Sequence, residues 1–159
     1  MTNKIEVAVS SIRLEENSET PIMILSDPVT NKVLPIWIGT IEAVSIAYAQ
    51  EGILYERPQT HDLLIDIIES LNAVLKEVSI TNIRNKTYYA DLILRTINGD
   101  ISLSARPSDA IALALRSEAP ITVNRDVFEA NSIDIISDKT EDIEEFKEFI
   151  DNITPDDFL

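Results

Sequence analysis

The sequence contains no cysteine, one histidine and three glycines in 159 residues. The absence of cysteine excludes disulfides, thiolate metal sites and a cysteine nucleophile, and it agrees with a reducing compartment. The single imidazole, that of His61, excludes any site that needs two histidines. The few glycines form neither a phosphate-binding loop nor a Gly-x-Ser-x-Gly motif, so nucleotide binding by such a loop and serine-hydrolase chemistry have no support.

Positive charge is also scarce, with 13 lysines and arginines against 28 acids and a formal net charge of -15. Proteins that bind duplex DNA gain affinity when lysine and arginine pair with phosphates and release counterions. The charge therefore argues against non-specific duplex binding. The acids are concentrated near the C-terminus, where residues 138–159 contain nine acids and two lysines.

Long apolar runs are missing as well. No run reaches the roughly 18 residues of a membrane-spanning helix, and charges precede any apolar stretch at the N-terminus. We therefore expect a cytoplasmic protein without a membrane segment. The hydrophobic content of 45% predicts one globular core. We expect one domain in residues 1–137, and an acidic helix and tail in residues 138–159 that dock on the domain or on a partner subunit.

The apolar periodicity predicts an α+β fold with a mixed, largely antiparallel sheet and packed helices. Alternation with period two and short apolar runs bounded by turn residues indicate strands, and the pattern over residues 77–105 is typical of an antiparallel meander. Trp37 lies in a predicted strand and is expected to pack in a core or an interface. The predicted strands are 5–14, 21–25, 33–38, 77–83, 88–96, 101–105 and 121–123, and the predicted helices are 41–50, 61–72, 109–116 and 141–150.

Two predicted helices are amphipathic. In the helix 61–72, the helical periodicity predicts one face against the core and a second face that carries acids. In the acidic C-terminal helix, apolar residues recur every three or four positions, so this stripe is expected to dock on another surface. The core face of the first helix comprises Leu63, Leu64, Ile67, Ile68 and Leu71, its acidic face comprises Asp62, Asp66 and Glu69, and the C-terminal stripe comprises Ile143, Phe146, Ile150 and Ile153.

Three predicted helices begin alike, with a capping Thr or Ser followed by an acid in the first turn. The pairs are Thr40 with Glu42, Thr60 with Asp62, and Ser108 with Asp109. Acids at these positions stabilise a helix through its macrodipole, so each pair has a purely structural interpretation. The alternative hypothesis is that the three helix starts converge on one functional site.

A converging site would suit phosphodiester hydrolysis, which without cysteine or paired histidines would use carboxylates that hold Mg²⁺ or Mn²⁺. Glu42, Asp62 and Asp109 are then the candidate metal ligands. His61, Asp62 and Asp109 are the candidate catalytic residues, because an imidazole exchanges a proton near neutral pH. The remaining candidates are the substrate-binding Arg57 and Arg106, each of which precedes a proline and offers a fork of N–H groups to phosphate.

Three segments resemble the bifunctional nuclease (BFN) domain family in order and spacing. The most specific is Ala-Arg-Pro-Ser-Asp-Ala-Ile-Ala-Leu-Ala-Leu-Arg at residues 105–116. It follows Leu-Pro-Ile-Trp-Ile-Gly at residues 34–39, with Glu-Ala at 42–43, and Arg-Pro-Gln-Thr-His-Asp-Leu at residues 57–63. The resemblance spans about residues 5–127. One departure is Ser104, where many family members have an acid.

The resemblance implies an α+β domain that assembles as a homo-oligomer and a metal-dependent nuclease that hydrolyses DNA, RNA or both. Its nucleic-acid partner is expected to be single-stranded or small. The net charge favours a different function, that of a non-catalytic oligomeric interaction or regulatory module in which the motif residues maintain caps and a subunit interface. A third interpretation is a binder of small anionic ligands at the helix N-termini near Arg57 and Arg106.

Overall fold

The computed structural model describes residues 3–134, and within them four helices and an eight-stranded sheet confirm the α+β class. No helix in this range is long and apolar enough to cross a membrane. The predicted C-terminal helix and tail lie outside the described residues. The elements are β1 Lys4–Leu14, β2 Pro21–Ser26, β3 Lys32–Trp37, α1 Thr40–Glu51, α2 Thr60–Ser70, β4 Val74–Arg84, β5 Thr87–Thr96, β6 Gly99–Ala105, α3 Pro107–Ser117, β7 Ile121–Asn124, α4 Arg125–Asn131 and β8 Ile133–Asp134.

The sheet has the strand order β6-β5-β4-β7-β1-β2-β3-β8 and is mostly antiparallel. Strands β4, β5 and β6 form the predicted meander. Strand β7 joins this meander to the N-terminal strands, because it pairs parallel with β4 and antiparallel with β1. The mixed, largely antiparallel sheet predicted from the sequence is therefore confirmed.

Helix α3 is the most buried helix, as the sequence predicts. Its small side chains, among them Ala110, Ala112 and Ala114, are almost completely buried between α1, α2 and strands β4 and β5. Small residues allow the helix backbone to approach its neighbours closely, and Ile111 and Leu113 then fill the core. This packing brings the N-terminal ends of α2 and α3 together.

Helix α2 presents a different face to the core from the one predicted. His61 is buried and Ile65 and Ile68 are partly buried, and these three lie on one stripe against the core. Asp62, next to His61, is also partly buried. The predicted core residues Leu63, Leu64, Ile67 and Leu71 are between 39% and 74% exposed. The prediction is therefore wrong for these four. Polar contacts of the first helical turn orient α2. The spacing of apolar residues carries no information about such contacts, so it could not predict this orientation.

The helix starts also differ from the predicted caps. The N-cap residues are Gly39 before α1, Gln59 before α2 and Arg106 before α3, so Thr40, Thr60 and Ser108 already lie inside their helices. Pro107 occupies the first turn of α3, where its missing N–H costs no intrahelical hydrogen bond. The short elements α4 and β8 were not predicted. These elements have too few residues to show a helical or strand periodicity of apolar positions, so the sequence pattern could not identify them.

Candidate functional site

His61 lies between α1 and α3 and is hydrogen-bonded on both ring nitrogens. Its Nδ1 lies 2.7 Å from Oγ of Ser45 on α1, and its Nε2 lies 2.9 Å from Oδ1 of Asp109 on α3. Burial acts to raise the pKa of Asp109, but hydrogen bonds from Arg106 and His61 outweigh it and lower the pKa below its ordinary value. Asp109 is therefore ionised and can only accept, so Nε2–H donates to Asp109. In the neutral imidazole, Nδ1 then accepts from the Ser45 hydroxyl.

Arg106 connects Asp109 to Glu42. Its Nε and Nη2 donate to the two oxygens of Asp109 at 2.9 and 3.2 Å, and its Nη1 lies 3.0 Å from Oε1 of Glu42. The hydrogen bond to Asp109 raises the pKa of Arg106 above its ordinary value. The Arg106 side chain is nevertheless 64% exposed. A guanidinium has five N–H groups, so Arg106 retains donors for an incoming anion.

Gly39 permits the position of Glu42. The Glu42 carboxylate folds back over the N-cap of α1, and a Cβ at residue 39 would collide with it. A larger residue would therefore displace the carboxylate from Arg106. The Gly-x-x-Glu spacing at the start of α1 thus has a specific geometric basis in this site.

Asp62 belongs to an adjoining ion pair with Arg116 at the end of α3. Arg116 Nε lies 2.7 Å from Oδ1 of Asp62, and the backbone N–H of Gln59 donates to Oδ2 at 3.0 Å. Burial acts to raise the pKa of Asp62, but these two hydrogen bonds outweigh it and lower the pKa. Arg116 also donates to the backbone carbonyl of Ser45 at 3.2 Å. The ion pair therefore links α2 and α3 to α1.

The structure brings most of the predicted site residues into one polar network. Direct contacts join Glu42 to Arg106, Arg106 to Asp109 and Asp109 to His61. Asp62 is connected to them through Arg116 and Ser45. Arg57 lies exposed in the loop before α2. Sequence reasoning missed Ser45 and Arg116 as members of the network. Ser45 lies one helical turn after Glu42, and Arg116 ends the third motif, but neither spacing predicts a contact with α2.

A shallow cleft of about 320 Å³ opens beside Arg106. The end of β3, the β4–β5 turn and the start of α3 form its walls. Among the described residues of its lining, the charged ones are the cations Lys86 and Arg106. Trp37 is 54% exposed at this cleft, so it does not pack in the core, and its packing in an interface stays a prediction. The lining residues are Ile36, Trp37, Ile38, Gly39, Lys86, Thr87, Tyr88, Arg106, Pro107 and Ser108.

Comparison with known families matches residues 23–136 to the bifunctional nuclease domain, which covers more than half of the chain. The chain belongs to the bifunctional nuclease domain family. The match contains every residue of the polar network: Glu42, Ser45, His61, Asp62, Arg106, Asp109 and Arg116.

Relatives of this bifunctional nuclease domain occur in bacteria and plants. An uncharacterized protein of Mycobacterium tuberculosis is 41% identical over 162 residues, which cover 96% of this chain and 97% of that protein. Bifunctional nuclease 2 of Arabidopsis thaliana is 30% identical over 100 residues, and Bifunctional nuclease 1 of Oryza sativa subsp. japonica is 27% identical over 129 residues. The aligned segments cover only 30% and 39% of these plant proteins.

In the described residues, the predicted metal ligands are bonded to arginines. No three acidic or histidine side chains in residues 3–134 are grouped so that they could hold a metal ion. Glu42 and Asp109 accept from Arg106, and Asp62 accepts from Arg116. A divalent cation would have to displace these guanidinium groups, so the side chains as arranged do not fit the predicted ligand set Glu42, Asp62 and Asp109.

Proposed function

We propose that the chain hydrolyses phosphodiester bonds of DNA, RNA or both. The observation that carries this proposal is the hydrogen-bonded pair of His61 and Asp109 beside the exposed Arg106 at the edge of the cleft. Membership of the bifunctional nuclease domain family and the names of the plant relatives support this class of substrate. The predicted catalytic His61 and Asp109 and the predicted substrate ligand Arg106 lie together in this arrangement.

Hydrolysis adds a water oxygen to phosphorus and breaks a P–O bond to the leaving oxygen. One proton must leave the water and one must reach the leaving oxygen. His61 is the group proposed to accept the proton from the water and to supply one to the leaving oxygen. Asp109 holds the Nε2 proton, so Nδ1 is the basic nitrogen, and the Ser45 hydroxyl that donates to Nδ1 is the proposed relay to the reacting water. Asp109 positions the imidazole and stabilises its protonated form.

Arg106 is the proposed phosphate ligand, because its guanidinium is exposed while two carboxylates fix its plane. Arg57, exposed before α2, stays a predicted second ligand. Asp62 is bonded to Arg116 and to a backbone N–H, so we assign it a positioning role rather than contact with substrate. The need for Mg²⁺ or Mn²⁺ stays a prediction, and no step of this proposal depends on it.

The test is cleavage of single-stranded DNA and RNA by the purified chain, in parallel with Mg²⁺, with Mn²⁺ and with chelator. His61→Asn, prepared identically, should reduce the rate by about 10²- to 10⁴-fold, the usual contribution of acid–base catalysis. Ser45→Ala should reduce the rate with little change in binding. Asp66→Asn is the matched control on the exposed face of α2.

Equal cleavage by the parent and His61→Asn would identify a contaminating nuclease and contradict the proposal. Intact substrates under all three conditions would contradict it as well. Rates that survive chelation would refute the predicted need for a divalent cation and leave the proposed hydrolysis in place.

The exposed apolar face of α2 favours a second candidate function, that of an oligomeric interaction module. Leu63, Leu64, Ile67 and Leu71 form a contiguous helical surface, and Leu71 is 74% exposed. Exposed apolar patches of this kind mark interaction sites in soluble proteins. In this alternative, the polar network only joins the helices. A folded parent without nuclease activity would favour it.

A further inference from the structure

Trp37 offers an open aromatic surface at the cleft beside Arg106. Its indole Nε1–H donates to Glu15 Oε2 at 3.2 Å, which holds the ring in place. Within residues 3–134, the rings of Tyr48 and Tyr55 pack edge to face, and the guanidinium of Arg84 lies over the ring of Tyr89. Neither contact uses the Trp37 ring. A half-exposed tryptophan with a satisfied N–H and no stacked partner in the described residues is suited to stack on a planar ligand.

The described residues that line the cleft include two cations, Lys86 and Arg106, although the chain is strongly acidic. Lys86 occupies the second position of the tight turn between β4 and β5, where Asn85 and Lys86 both have positive φ. This geometry is typical of a type I′ hairpin and places Lys86 on the cleft wall. No ion pair joins Lys86 to an acid in the described part of the chain, whereas Arg106 already faces two carboxylates. Lys86 is therefore the cation most available to a phosphate.

We propose that this cleft binds one unpaired base and its phosphate, with the base stacked on Trp37 and the phosphate held between Lys86 and Arg106. The ligand class is single-stranded DNA or RNA. Bases in a duplex have both faces covered by their neighbours, so only an unpaired base can reach the indole. The inference rests on the proposed phosphodiesterase function for its substrate class, and it adds the site that selects single strands.

Trp37 is the only tryptophan of the chain, so its intrinsic fluorescence reports on this cleft alone. The parent is titrated in chelator with a short single strand of deoxythymidine and with a blunt duplex of equal length. The single strand should quench the fluorescence in a saturable manner, and it should bind at least about tenfold more tightly than the duplex. The absence of quenching, or equal quenching by both ligands, would overturn the proposal.

Variants then assign the two interactions by anisotropy of a labelled single strand. Trp37→Ala should weaken binding by about tenfold, as expected for the loss of one stacked base, and Trp37→Phe should weaken it less. Lys86→Glu should weaken binding several-fold. Its matched control is Lys32→Glu, which makes the same change of charge at the opposite end of β3. Equal effects of the two lysine variants would show that only overall charge matters, and would refute the Lys86 contact.

Binding and cleavage are measured separately, so the two proposals fail in different ways. Specific quenching without cleavage by the parent would refute the nuclease proposal and leave the base site. Cleavage that is lost in His61→Asn but unaffected in Trp37→Ala and Lys86→Glu would refute the base site and leave the nuclease.

Discussion

Arg116 Nε lies 2.7 Å from Oδ1 of Asp62, across 54 positions of the chain. The Arg116 side chain is only 12% exposed, and it also donates to backbone carbonyls of Ser45 and Ala112. One guanidinium therefore binds α1, α2 and its own helix α3. Through this contact Asp62, a predicted metal ligand, contributes to the packing of the three helices.

Asp62→Asn should destabilise the fold because it leaves the part-buried Arg116 without its carboxylate. We expect a loss of about 1–3 kcal/mol in the free energy of unfolding, toward the lower end because Asp62 is partly exposed and water screens the pair. Urea denaturation measures it. Asp66→Asn, exposed on the same helix, should change stability by less than about 0.5 kcal/mol. Equal effects of the two variants would contradict the role given to this ion pair.

Asp109→Asn should lower the cleavage rate by about 10²-fold or more, because the amide no longer stabilises protonated His61 or fixes its tautomer. It also removes an acceptor from Arg106, so a smaller loss of stability is expected. Single-turnover cleavage and thermal melting, measured on the same preparation, separate the two effects. Glu42→Gln alters the other partner of Arg106 while leaving His61 untouched, and it should retain more activity. A larger loss of activity in Glu42→Gln than in Asp109→Asn would refute the pairing of His61 with Asp109 as the functional unit.

The carboxyl group of Glu77 should make the free energy of unfolding depend on pH in the acidic range. Burial acts to raise its pKa, but hydrogen bonds from Lys4 and Thr122 outweigh it and lower the pKa below the ordinary 4.5. Because the folded-state pKa is the lower one, the contribution to stability is complete above about 4.5 and is lost as pH falls through the folded-state value.

Glu77→Gln should therefore cost about 0.5–1 kcal/mol at neutral pH and much less near pH 3, measured by urea denaturation at both. The comparison variant is Asp100→Asn, which removes an exposed carboxylate bonded to Lys76 and should have the smaller effect. A stability difference for Glu77→Gln that is the same at both pH values would refute the linkage.

Charged substitutions on the exposed apolar face of α2 should dissociate any oligomer that forms through this face. The double variant Ile67→Glu, Leu71→Glu places charges on that surface, and light scattering after size exclusion should give the mass of a single chain. Val29→Glu, in the β2–β3 turn, is the control because Val29 is also exposed but lies on another surface. If the parent is oligomeric and the double variant keeps its mass, this face is not the interface.

Within residues 3–134, the sequence predicted seven of the eight strands and three of the four helices from short-range information. Alternating apolar residues identify β1 because successive side chains of a strand point to opposite faces. Gly52 ends α1 because the C-cap adopts φ 66°, which glycine accepts without strain. The motifs also led to the hypothesis that Glu42, His61, Asp62 and Asp109 share one site with Arg57 and Arg106. These features depend on residues near one another in the chain or on a recognisable pattern of motifs.

Only the tertiary structure decided how α2 is rotated and what its acids contact. Counting apolar residues placed Leu63, Leu64, Ile67 and Leu71 in the core. The hydrogen bonds that join His61 to Ser45 and Asp109, and the bond that Arg116 donates to Asp62, instead turn the stripe of Ile65 and Ile68 inward. Ser45 and Arg116 are 71 positions apart, so no local period relates them. The physical reason is that periodicity records which faces of a helix are apolar, while long-range polar contacts select the face that packs against the core.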